Sequence, residues 1–175
     1  MTNDDITIFD NVNKLLKDVQ IKLITNQELI KLLKYDNDTP LDNKDLTIDE
    51  AWDLTKPQTD TKGKLSHARL NFCPIALGVV TEVSSLVAMT FEVNTISSKP
   101  SFCNIYMGFI ILVKSEVFDL ADGSNRMLNI ASAITKAMQN YDKGVGQITL
   151  DSFETTTPPN GYSATKLFFK VSDFK

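Results

Sequence analysis

Apolar residues recur at helical spacing up to residue 34 and at every second position from residue 65 onward. That change of period confines the chain to a mixed fold. Between Ile6 and Ile24 the apolar positions are Ile8, Val12, Leu15, Leu16, Val19 and Leu23, with Asn11, Lys14, Lys17, Asp18 and Lys22 on the other side. This is the pattern of an amphipathic helix. Thr25-Asn26-Gln27-Glu28 reads as a capping box, with Thr25 as the cap. A second short helix carries Leu29, Leu32 and Leu33 on one stripe. The two form a helical arm over 1–34, which would pack on the domain's own sheet or dock on a neighbouring subunit.

Beyond residue 65 the alternation predicts strands. Ala68, Leu70 and Phe72 alternate with His67, Arg69, Asn71 and Cys73. Over 84–96, Val87, Met89, Phe91 and Val93 share a side, and 97–101 is a turn. Over 102–115 one face carries Cys103, Ile105, Met107, Phe109, Ile111 and Val113, while Ile110 and Leu112 make the second half apolar on both faces. A strand of that kind belongs in the middle of a sheet. Asp122-Gly123-Ser124 reads as a turn plus N-cap. It opens a helix at about 125–140, with Met127, Ile130, Ala131, Ile134, Ala137 and Met138 on one stripe. Two closing strands, about 145–155 and 163–171, flank an Asn160-Gly161 turn. The predicted class is α+β: an antiparallel-dominated sheet with N-terminal helices and one long helix packed on it.

The chain reads as a single domain over 1–175, with 35–64 a loop region around a short helix and 65–175 the sheet plus helix. Its 175 residues are 42% hydrophobic and 23% charged, as in ordinary globular proteins. The formal net charge is -4, so broad attraction to nucleic acid or anionic membrane is not expected. Of 18 basic residues only Arg69 and Arg126 are arginine, which weakens a base- or phosphate-reading role further. The apolar runs Ile75–Val80 and Met107–Val113 are too short to span a bilayer. The acidic N-terminus does not read as a signal peptide.

Catalytic chemistry finds no purchase. His67 is the sole histidine, and Cys73 and Cys103 form no CxxC pair. The two thiols are expected to be small buried groups, and no zinc ligand set is present. Gly123 and Gly144-Val145-Gly146 match no phosphate cradle. His67, Arg69 and Asn71 would form a polar strip, either solvated or able to meet an anion. No enzyme activity, metal or cofactor is expected.

The segment Asn26 to Leu46 is the most distinctive. A capped helix runs into an acidic loop with Asp36, Asp38, Asp42 and Asp45. Read as a calcium loop from Asp36, it places Pro40, Leu41 and Thr47 where an acidic or amide ligand, glycine and glutamate are needed, so the match fails. Pro40-Leu41 suggests an extended stretch with one anchored apolar side chain. Thr47-Ile48-Asp49-Glu50 repeats the capping box and opens a short helix holding Trp52, the only tryptophan. A lone Trp there is a local core plug or an interface anchor. The polar stretch 56–64 reads as an exposed loop.

The element order resembles the head–tail connector and tail-terminator proteins of tailed bacteriophages. The likeness rests on the helix followed by Tyr35-Asp36 and Pro40-Leu41, and on the run from Gly123-Ser-Asn-Arg-Met-Leu-Asn-Ile-Ala to Val145-Gly-Gln-Ile-Thr-Leu. It is architectural and loosely covers most of the chain. It implies a virion protein of the head–tail interface, made in the host cytoplasm. Such a protein would form a homo-oligomeric ring, often a hexamer in terminators. It would contact portal or adaptor and tail proteins and let DNA pass through the lumen. Tyr35, Asp36, Asp38, Leu41, Asp42, Asp45 and Trp52 are then the candidate subunit contacts, and deleting Asp36 to Asp45 is expected to leave the fold intact. The alternatives are a small cytoplasmic ligand-binding domain around His67 and Arg69, or an adaptor using Trp52 and the acidic loop.

Overall fold

The computed structural model describes residues 3–57, 67–74, 83–95, 103–139, 147–158 and 161–174. Its elements run α1 (Asn3–Thr25), α2 (Gln27–Lys34), α3 (Ile48–Asp53), β1 (Leu70–Asn71), β2 (Ser85–Thr95), β3 (Cys103–Lys114), α4 (Arg126–Gln139), β4 (Gln147–Thr155) and β5 (Tyr162–Phe174). The strands form one sheet of order β1-β2-β3-β5-β4. All pairs are antiparallel except β1 with β2. The fold is therefore α+β, with β3 central. The expected turns at 97–101 and Asn160, the Gly144-Val145-Gly146 stretch, the run Ile75–Val80 and most of 56–64 lie outside the described residues.

Residue period decides which face meets the helices. The odd-numbered side chains of β3 (Ile105, Met107, Phe109, Ile111 and Val113) are fully buried. Phe169 of β5 meets Phe109 edge-to-face, ring centroids 5.7 Å apart. On this face α4 lies against β3, β4 and β5, α2 lies against β2 and α4, and α1 packs on α2, α3 and α4. Ile130, Ile134 and Met138 of α4 join Leu29, Leu32 and Leu33 of α2 and Leu15, Val19 and Leu23 of α1 in one continuous core. From Val12 onward the arm thus packs on its own subunit. A smaller cluster of Val83, Leu86, Ala88, Leu112, Tyr162 and Ala164 sits on the opposite face. There Gly108 of β3 leaves room for side chains of its two neighbours β2 and β5, since a Cβ on it would stand 2.6 Å from Thr90 Oγ1 and 3.3 Å from Phe168.

Several local expectations shift. Among the described residues 67–73 the alternation yields only the two-residue β1. It is anchored where Leu54 O accepts from both Arg69 N and Leu70 N. Helix α1 runs through Thr25, whose hydroxyl back-bonds to Ile21 O at 2.8 Å. The cap of α2 is Asn26, which accepts from Leu29 N at 3.1 Å and donates to Ala133 O at 3.2 Å. At α4 the cap is Asn125 rather than Ser124, accepting from Leu128 N at 3.1 Å. Gly123 supplies the left-handed turn (φ 78°) before it. The box at Thr47 forms as expected: Glu50 accepts from Thr47 N at 2.9 Å, and Glu50 N donates to Thr47 Oγ1 at 3.3 Å. Cys73 is exposed rather than buried.

Candidate functional site

The chain's two arginines converge on one segment, the exit of α2. A helix end leaves its last carbonyls without intrahelical donors. Arg126, the first residue of α4, is completely buried and fills that need. Its Nη1 donates to Leu32 O at 2.8 Å and Tyr35 O at 2.7 Å, Nη2 donates to Asn37 O, and Nε donates to Val117 O at 2.7 Å. A cation is unfavourable at the N-terminus of α4 and favourable at the C-terminus of α2, so this geometry sets one helix dipole against the other. Burial pushes the guanidinium pKa down, and the nearby Asp36 charge opposes that.

Arg69, at the start of β1, grips the same turn from the other side. It forms a forked pair with Asp36, Nη1 to Oδ1 at 2.7 Å and Nη2 to Oδ2 at 2.9 Å, and also donates to Leu33 O. Ser84 donates its hydroxyl to Asp36 Oδ1. Burial pulls the Asp36 carboxyl upward. The Arg69 and Ser84 hydrogen bonds and the charges of Arg69 and Arg126 outweigh it and hold the carboxyl below its ordinary value. Asn71 donates to Ala68 O at 2.7 Å. With Arg69 committed to Asp36, the proposed His67–Arg69–Asn71 anion strip does not form.

The following loop is equally tied. Gln27 forms a two-bond bridge to the Leu46 backbone, at 2.9 and 3.0 Å. Lys31 donates to Leu41 O at 3.2 Å and pairs with Asp45 at 2.7 Å. Asn43 reaches the Thr39 and Pro40 carbonyls, and Ala121 N donates to Asp38 O at 2.9 Å. Deleting Asp36 to Asp45 would take the carboxylate from Arg69, the Asn37 carbonyl from Arg126, and the Lys31 and Ala121 contacts, which runs against the expectation of an intact fold: the loop is bonded into its own subunit.

The named residues divide accordingly. Asp36 is exposed, but its carboxylate is spent on the ion pair with Arg69 of the same chain. Tyr35 is half-buried, its hydroxyl donating to Lys44 O at 3.3 Å. Asp38, Asp42 and Asp45 are exposed. Pro40 is the anchored residue of the pair: it is buried and opens a 3-10 turn, while Leu41 is 42% exposed. Trp52 is 38% exposed, so it is no core plug. Ile48, one turn before it on α3, is 51% exposed and was missed by the sequence reading. Its position right after a cap, ahead of a partly apolar helix, was the available signal. Asp38, Leu41 and Asp42 line a shallow cavity of 170 Å³ with Leu120 and Asp122. What the arrangement offers is a rigid acidic surface with three exposed apolar side chains. Among the described residues no three His, Cys, Asp or Glu side chains gather to hold a metal ion. No helix there is long and apolar enough to cross a membrane.

A family model described as YomW matches residues 26–171, from the cap of α2 into β5. No curated protein and no solved structure matches the chain.

Proposed function

The chain belongs to the YomW family, a phage-like prophage family, and from that premise we propose that it is a structural protein of a tailed-phage particle that acts by contact and not by catalysis. Its place in this reading is a homo-oligomeric ring at the head–tail interface, as tail terminator or neck connector. The ring joins portal to tail and lets DNA pass. The observation that carries the reading is the pre-set surface of residues 38–52. Both arginines are spent on fixing the turn that leads into it, and Leu41, Ile48 and Trp52 remain exposed. A surface fixed before contact loses little freedom on binding. The acidic balance of the chain suits a channel that does not grip DNA.

A small-ligand reading has one observation in its favour. A 440 Å³ concavity at the β2 edge of the outer sheet face is lined by Thr90, Phe91, Glu92, Tyr106, Gly108 and Phe168. Negative-stain microscopy and light scattering on the purified full chain separate the two. Annular particles are expected, and gold-labelled antibody should mark the neck of intact virions. A monodisperse monomer at high concentration, with no label on virions, refutes the structural role.

A further inference from the structure

Among the described residues both edges of the sheet are open, and both carry exposed apolar side chains on the same face. There strand β4 ends the sheet and pairs only with β5. At the other end β1 covers only Val87 and Ala88 of β2. Among the described residues, Thr90–Thr95 therefore has no neighbour on that side. Cross-strand partners share a face. Phe91 lies opposite Met107, Leu150 opposite Phe169, and Phe153 opposite Leu167. Those three partners are buried beneath the helices, so Phe91, Leu150 and Phe153 all point to the helix side. They are nevertheless 48%, 39% and 47% exposed. Natural edge strands are commonly guarded by proline, by charged side chains, above all lysine, or by bulges. Neither 90–95 nor 147–155 contains lysine or proline, and the guard is limited to Glu92, Asp151, Glu154 and the bulge in β4.

We propose that β4 of one copy of this chain extends the sheet of the next along the Thr90–Thr95 edge of β2, joining Leu150 and Phe153 to Phe91 in one apolar seam. The occupant of each edge is a second copy because the two edges match: each is unpaired among the described residues and carries exposed apolar side chains on the same face. Joining unlike edges is a heterologous contact, which closes into a ring or continues as a filament. The Asp151 bulge interrupts β4, so the extension is short. This seam rests on the ring reading above.

The test uses the full chain and its variants Phe91→Asp and Phe153→Asp, followed by light scattering after size exclusion, with circular dichroism to check the fold. Each variant alone should run as a monomer. Mixed one to one, they should give a dimer and nothing larger, because the intact β4 edge of the first meets the intact β2 edge of the second. Should either aspartate variant lose its fold, Phe91→Gln and Phe153→Gln carry the same comparison. Folded variants that still form rings overturn the seam and leave the ring reading standing. So does a mixture that stays monomeric while the wild type forms rings. Disruption by Phe153→Asp alone indicates β4 pairing with β4 and overturns the head-to-tail arrangement. A monomeric wild type removes ring and seam together.

Discussion

Replacing Arg126 with methionine takes four hydrogen bonds from one buried point while keeping much of the side-chain volume. The carbonyls of Leu32, Tyr35, Asn37 and Val117 all lose their donor. Hydrogen bonds to charged groups contribute about 1.5–3 kcal/mol each, so simple addition gives roughly 6–12 kcal/mol. That sum overshoots, because the variant no longer buries a guanidinium. Removing one partner of a buried charged arrangement costs about 3–5 kcal/mol in practice. We expect a loss of about 4 kcal/mol. For a domain of this size that lowers Tm by roughly 8–16 °C. Urea unfolding followed by circular dichroism measures the total, and hydrogen exchange locates it, with protection falling first over residues 32–46. Arg126→Lys should recover only part, since an ammonium is a point donor and cannot span carbonyls on two sides. A loss below about 1 kcal/mol, or unchanged exchange in that segment, would refute the clamp.

Three further perturbations test neighbouring parts. Asp36 has a folded-state pKa below its unfolded value, so the unfolded chain binds the extra proton. The contribution of Asp36 is thus complete above about pH 4 and lost as pH falls through the folded value. Asp36→Asn should flatten that acid limb in unfolding curves, and a limb of unchanged steepness would exclude Asp36 as its source. Gly108→Ala should destabilise by about 1–3 kcal/mol through overpacking, with most of the loss recovered when Thr90→Ala removes the clashing hydroxyl. Calorimetry on the two single variants and the double variant reads the coupling, and simple additivity would rule out the contact. Asn26→Ala should cost about 1 kcal/mol, while Thr25→Ala stays within about 0.5 kcal/mol because its hydroxyl only back-bonds its own helix. The reverse order in urea unfolding would return the cap to Thr25.

The elements that sequence conveys well are those with long periodic patterns. The even positions of β3 announce a central strand, and the stripe from Met127 to Met138 announces α4, because burial on one side repeats over several turns or pleats. Caps are harder. Thr25 and Asn26 both have a side-chain acceptor, as do Ser124 and Asn125. The choice falls on the residue with the better tertiary partner: Asn26 also donates to Ala133 O, and Asn125 sits in a bridge with Asp119. The arginines were legible only as an oddity of usage. In a chain that otherwise uses lysine, two positions keep a rigid fork of donors that lysine cannot supply. That their targets are the carbonyls and carboxylate leaving α2 depends on contacts between distant parts of the chain. Phe91 carries the right alternation for burial, and Leu150 and Phe153 share its face only through the Asp151 bulge; all three stand where the helix layer ends, a limit that period does not encode.

The clamp at the exit of α2 also sets a schedule. Leu32 and Arg126 are 94 residues apart, and Asp36 and Arg69 are 33 apart. During synthesis the acidic loop leaves the ribosome early, at an elongation rate of roughly 5–20 residues per second. It must then wait on the order of five to twenty seconds for Arg126 to be made. Until then its turn has the Arg69 donors but lacks those of Arg126, and the Leu41–Trp52 surface is only partly fixed. The contact surface proposed above is thus completed by a residue from late in the chain, which unfinished copies lack.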